Sequence, residues 1–237
     1  MKVSLVSYYS DTLIIDQSKH YDTVFLIDVY RATSTMVVMA TNKAKAIKPV
    51  ASIDEAFYLR EQDPSVVLCG ERNSIKPEGF DYGNDPSLLH QVDLTNKTCV
   101  MTTSNGTKAM RAFENTSTTF IACSFLNIDA CIKKIQQSDD KHILVLCAGN
   151  WGKFSMEDYL CATMLLNGIK NEITNMNDEI KLAIEVGEVY EKNPEKLKKT
   201  LQNTDHAQKL KSQNKYDDVC FIIDNINATN CLPQLQL

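Results

Sequence analysis

Short apolar runs rich in Val, Ile and Leu recur along the chain at 3–7, 23–28, 66–70, 98–103, 118–123, 142–149 and 219–224. Each has the length and branched-side-chain content of a buried strand. Between them apolar positions fall at helical spacing over 32–43, 52–62, 105–114, 124–137, 156–170 and 178–191, with two further polar helical stretches near 194–213. This alternation predicts an α/β fold, in which a largely parallel central sheet carries helices on both faces. No repeat, low-complexity tract or Pro- or Gly-rich linker interrupts the 237 residues, so a single domain over 1–237 is expected. The one compositional shift is at 171–218, where Lys, Glu, Asp and Asn dominate. A solvated helical segment is the expectation there, ahead of a lid over a site or an oligomer contact.

Composition narrows the partners. Lys plus Arg at 25 against Asp plus Glu at 30 gives a net charge of -5, which disfavours nucleic acid. No apolar run reaches the roughly 20 residues of a membrane span, and MKVSLVSYYSD turns polar too early for a signal peptide. The eight Cys form no C-x-x-C pair and mostly sit in apolar runs, as expected of reduced thiols in a cytoplasmic protein. Arg occurs only at 31, 60, 72 and 111, and Arg31 and Arg72 lie near turn-forming segments where a guanidinium can meet an anion.

Glycine placement locates the site. Six of the eight Gly (70, 79, 83, 106, 149 and 152) follow an expected strand or sit in the loop beyond it, and ligands of parallel sheets bind at the carboxyl ends of strands. FLIDVYRATST places Asp28 at a strand tip, then Arg31, Thr33, Ser34 and Thr35 at a helix opening. An acidic tip can hold a divalent cation and the opening can cradle an oxyanion, or Asp28 can simply cap the helix. CGERNSIKPEGFDYGNDP adds Glu71 in a long loop. MTTSNGTKAMRAF offers Thr103, Ser104, Asn105, Gly106 and Thr107 to an anion. LCAGNWGKFSMED brings Gly149, Trp151, Gly152, Glu157 and Asp158, with the acids placed either for metal or base chemistry or to complement the helix dipole. Trp151 is expected to wall the pocket.

The nucleotide signatures G-x-x-x-x-G-K-[ST] and G-x-G-x-x-G do not occur, and the four His form no H-E-x-x-H pair. Oxygen-ligated Mg²⁺ is therefore the favoured metal. In order, DVYRATST, GE with EGFDYGNDP, TTSNGTKA, CSFLN and AGNWGKFSMED resemble the motifs of the 2-phosphosulfolactate phosphatase family, from Asp28 to Asp158 and with similarity continuing to Cys231-Leu232-Pro233. Asp85 departs from the family's G-N-S-P, and Thr204-Asp205-His206-Ala207 lacks a Ser-x-Gly pattern.

The resemblance implies a three-layer α/β/α fold and a Mg²⁺-dependent phosphomonoesterase converting 2-phospho-3-sulfolactate to 3-sulfolactate and phosphate, a step of coenzyme M synthesis. The expected catalytic residues are Asp28, Arg31, Glu71 and Asp158. The expected metal ligands come from Asp28, Glu71, Glu157 and Asp158, and the expected substrate ligands are Thr33, Ser34, Thr103, Ser104, Asn105, Gly106, Thr107 and Gly149. The partner is a small anionic phosphoester, with a homodimer possible. Other readings are a phosphatase for another 2-phospho acid, and a non-catalytic protein binding anionic metabolites.

Overall fold

The structure, a computed structural model, describes residues 1–9, 20–103, 110 and 118–236. Its strands are β1 (Lys2–Val6), β2 (Thr23–Ile27), β3 (Ala46–Val50), β4 (Val67–Gly70), β5 (Thr98–Thr102), β6 (Thr119–Cys123), β7 (His142–Cys147) and β8 (Gln234–Leu235). They form one sheet in the order β1-β7-β2-β6-β8-β3-β5-β4. Every pairing is parallel except that of β6 with β8. The helices are α1 (Ala32–Thr41), α2 (Ile53–Gln62), α3 (Pro86–Leu89), α4 (Ile128–Gln136), α5 (Met156–Gly168), α6 (Asp178–Glu191), α7 (Pro194–Gln202), α8 (Asp205–Ser212) and α9 (Tyr216–Asp224).

Alternate strand residues feed opposite faces of the sheet, because successive side chains point to opposite sides. Phe25, Ile27, Ile121, Cys123, Val145 and Cys147 pack with the apolar residues of α4, α5 and α6. Val24, Leu26, Phe120, Ala122, Leu144 and Leu146 pack with Met36, Val37 and Met39 of α1. With both faces covered, the strands read as continuous apolar runs, and the fold is the expected three-layer α/β/α arrangement. All eight cysteines are unbridged and six are buried. Among the described residues no helix is long and apolar enough to cross a membrane.

The expected strand at 219–224 is instead the body of α9. Its buried residues Val219, Ile222 and Ile223 follow helical spacing, and Asp217 and Asp218 occupy its first turn, where carboxylates favour a helix. Strands β3 and β8 carry no strong strand signal. Lys48 and Pro49 interrupt β3, and β8 has only two residues, placed by its neighbours β6 and β3. The expected helix at 105–114 lies outside the described residues except for Met110. The helix expected from 124 begins at Ile128, because Asn127 first clamps the turn, accepting from the Ser124 N–H and donating to the Ala122 and Cys231 carbonyls.

Helix α6 of the charged segment packs tightly on α5. A Cβ at Gly187 would sit 2.3 Å from the Thr163 carbonyl oxygen and 2.8 Å from the Asn167 side chain. In an open helix Gly→Ala gains about 1 kcal/mol, whereas overpacking costs about 1–3 kcal/mol. A backbone carbonyl cannot swing aside, so the clash wins. Gly187→Ala is expected to lower stability in urea unfolding, and a gain in midpoint would show that the two helices separate freely.

Candidate active site

The tip of β2 is organised by its own chain. Asp28, 5% exposed, accepts from the Ala32 N–H through its carboxylate, while Thr33 Oγ1 accepts from the Asp28 N–H at 3.1 Å. Ser34 Oγ donates to the Val29 carbonyl at 2.9 Å. The hydroxyls of Thr33 and Ser34, expected to grip substrate, therefore close the β2–α1 turn, and both residues are fully buried.

Helix α5 then pins two strand tips together. Asp158 Oδ1 accepts from the Val29 N–H after β2 at 2.8 Å, and its Oδ2 accepts from the Gly149 N–H after β7 at 3.1 Å. Both oxygens of this expected metal ligand are thus engaged by backbone. Gly149, expected to bind substrate, gives its N–H to Asp158 instead; its φ of 71° and the Lys153 carbonyl, 2.5 Å from where a Cβ would stand, require glycine. Glu157, also buried, pairs through Oε1 with His206 Nδ1 at 3.0 Å.

Burial pushes the Asp28 carboxyl up to about 6; the His206 charge opposes the shift and the negative charges of Glu71 and Glu157 add to it. Burial, then the charges of Asp28 and Glu157, holds Asp158 well above the ordinary carboxylate range. At Glu157 burial also works against ionisation, but the hydrogen bond and charge of His206 outweigh it and keep the carboxyl below its ordinary value. The arrangement concentrates negative charge around Asp28 with one imidazole to balance it.

Arg31 is likewise committed. Its Nη1 donates to Asp85 and, at 2.8 Å, to Asp218 of α9. Lys215 Nζ reaches Asp85 at 2.8 Å, and the Ser87 N–H caps Asp218 at 3.1 Å. Two cations and two carboxylates cancel, so Asp85 is absorbed within this quartet. Arg72 also braces the structure, donating to the Ala51 and Glu71 carbonyls and to Thr102 Oγ1.

These elements line a narrow cleft, open to solvent, formed by Asp28, Tyr30, Arg31, Glu71, Asn73, Ser74, Asn84, Thr103, Asn150, Trp151, His206 and Lys209. Glu71 is 8% exposed, and its Oε2 accepts from the Ser74 N–H at 2.7 Å. Trp151 stands in the expected wall position and is 55% exposed. Of the expected 103–107 cluster, Thr103 lines the cleft, and Ser104, Asn105, Gly106 and Thr107 lie outside the described residues. Among the described residues no group of three His, Cys, Asp or Glu is set to cage a metal ion.

Sequence reasoning missed His206 and Lys209, which α8 brings from the charged segment. That segment is therefore more than a solvated surface: it lines the cleft and, through Lys215 and Asp218, fixes Arg31. Its one legible signal was the spacing of His206 and Lys209, three apart and hence on one helix face.

Such a cleft, with charged and hydrogen-bonding groups converging where the strands end, defines an α/β enzyme for a small polar substrate. The chain belongs to the 2-phosphosulpholactate phosphatase family, whose model matches residues 11–237. It is 38% identical over 199 residues to a protein of Thermotoga petrophila named "probable 2-phosphosulfolactate phosphatase", covering 84% of this chain and 83% of that one. A protein of Caldanaerobacter subterraneus with the same name is 30% identical over 235 residues, covering 98% of this chain and 95% of its own.

Because Arg31 joins two buried carboxylates, its removal leaves negative charge without a partner. Arg31→Met is expected to destabilise the fold by about 3 kcal/mol in urea unfolding. An unchanged midpoint would mean that the quartet does not hold the cleft together.

Proposed function

We propose that this protein is a Mg²⁺-dependent phosphomonoesterase that hydrolyses 2-phospho-3-sulfolactate to 3-sulfolactate and phosphate. The observation that carries the reading is Asp28: a buried carboxylate in a polar cleft at the tip of β2, raised to about 6 by burial and close enough to Glu71 and Glu157 to feel their charges. A family match over residues 11–237 and the names of its relatives support the substrate.

The donor set fits Mg²⁺. Asp28 and Glu71 supply two hard carboxylates, with amide and hydroxyl oxygens of Asn73, Asn84 and Thr103 in the same cleft. Mg²⁺ commonly takes one or two carboxylates and completes its shell with water and substrate phosphate. A two-carboxylate site needs no cage of three protein ligands, and this reading omits the further ligand expected from Glu157 or Asp158, because both Asp158 oxygens take backbone N–H groups and Glu157 pairs with His206. When bound, Mg²⁺ would neutralise charge on the phosphoryl group.

Hydrolysis breaks the ester P–O bond, leaves a water oxygen on phosphorus and delivers a proton to the departing alkoxide. His206 is the side chain suited to move that proton. Glu157 fixes its Nδ1, which leaves Nε2 as the ring's second proton site, and the imidazole lines the cleft with Asp28. Asp158 holds the β2 and β7 tips in place so that Asp28 keeps its position. Cytoplasmic location is part of the same reading, in keeping with the unbridged cysteines.

Purified protein is expected to release phosphate from 2-phospho-3-sulfolactate with Mg²⁺ and to stop when EDTA is added. Asp28→Asn should lower kcat/KM by at least about a hundredfold. It should not lower the melting temperature, because the amide removes a desolvated charge that faces negative neighbours. Full turnover by this variant would refute the central role of Asp28.

A further inference from the structure

We propose that Lys209 is the specificity-determining cation of the cleft and pairs with the substrate's sulfonate, an inference that rests on the substrate proposed above. Every other cationic side chain among the described residues of the cleft lining is already committed. Arg31 is shared between Asp85 and Asp218, and His206 is bound to Glu157. Among the described residues Lys209 makes no ion pair or hydrogen bond through its side chain. It sits one helical turn beyond His206 on the same face of α8, exposed at the margin of the cleft.

Substrate chemistry gives that lone ammonium its partner. In 2-phospho-3-sulfolactate the carboxylate carbon is bonded directly to the carbon bearing the phosphoester, while the sulfonate lies one carbon farther out. With the phosphoryl group at Asp28 and Glu71, the sulfonate is the anionic arm with the longer reach toward the margin. A sulfonate is a diffuse, permanently ionised group, and a point-charge ammonium on a flexible stem meets it without the fixed fork of an arginine. The quartet around Arg31 is neutral in sum and the carboxylates around Asp28 are repulsive, so Lys209 supplies the attraction that separates a sulfonate-bearing ester from one without it. Solvent exposure keeps that contribution modest, roughly two- to fivefold.

The test compares wild type, Lys209→Gln and Lys209→Arg in two assays with Mg²⁺: turnover of 2-phospho-3-sulfolactate beside 2-phospholactate, and calorimetric binding of 3-sulfolactate. Lys209→Gln is expected to raise KM for the sulfonate ester and weaken 3-sulfolactate binding by roughly two- to fivefold, with a smaller rise in the 2-phospholactate KM. Lys209→Arg should retain most of both. Equal losses on the two esters, or 3-sulfolactate binding indifferent to Lys209→Gln, would overturn the role of Lys209. Absence of turnover on either ester in wild type would defeat the proposed activity, leaving the binding comparison to decide on Lys209. Failure of wild type to bind 3-sulfolactate would defeat the Lys209 inference whatever the turnover.

Discussion

Asp158 is the side chain on which the geometry of the cleft depends. It stands in the first turn of α5, yet its two oxygens serve backbone N–H groups after two different strands, Val29 beyond β2 and Gly149 beyond β7. Strand tips in a parallel sheet have no ladder partner past their last residue, so their N–H groups must find acceptors elsewhere or remain buried and unpaired. One carboxylate meets both needs and thereby sets the spacing between the loop that carries Asp28 and the loop that carries Trp151. The cost is electrostatic, since Asp158 is buried beside Asp28 and Glu157 and its carboxyl is pushed far up. The structure contains this strain by tying Glu157 to His206.

A second set of charges fixes the chain just after Asp28. Arg31 follows β2 by a few residues, Asp85 opens α3, and Lys215 and Asp218 belong to the start of α9, 187 residues beyond Arg31. Buried pairs of this kind contribute little net stability over apolar packing, but losing one member is severe because the remaining charge is stranded. Their effect here is positional. They lock the first turn of α1 to the C-terminal helices, and so make the charged segment a structural part of the cleft.

Much of this architecture was legible in the sequence, and the reasons differ by element. Strands β2, β5, β6 and β7 sit between two helical layers, so their apolar runs are continuous and fall within two residues of the expected bounds. Asp28, Glu71, Thr103 and Trp151 were found because they follow such runs. The strand expected at 219–224 failed because VCFIID satisfies both a strand run and a helical stripe, and only the preceding acids and the packing of Val219, Ile222 and Ile223 decide between them. The hydroxyls of Thr33 and Ser34 were read as ligands because local sequence cannot show that an adjacent carbonyl or N–H will claim them. His206 and Lys209 were missed for the complementary reason: α8 reaches the strand tips through tertiary packing, and nothing near residue 206 reports that Glu157 stands opposite.

The proposed reading divides the labour between these two sources. The strand tips hold the carboxylates at which the phosphoryl chemistry would occur, and their positions are over-determined by backbone hydrogen bonds, as Asp158 and Thr33 show. Helix α8 holds the groups that would face the rest of the substrate, and it is fixed by side-chain contacts in a segment of largely polar composition. Rigid strand ends with adaptable outer elements are the usual way in which one α/β scaffold serves related substrates. A net acidic protein can bind a multiply charged anion under this arrangement only if its cations are not all spent internally. Arg31 is spent, and His206 is half spent on Glu157. On the proposed reading, the ammonium of Lys209 on α8 and a divalent cation at Asp28 and Glu71 would divide the remaining charge between the two ends of the substrate, which would make the distance between them, rather than the total charge of the cleft, the quantity that selects the ester.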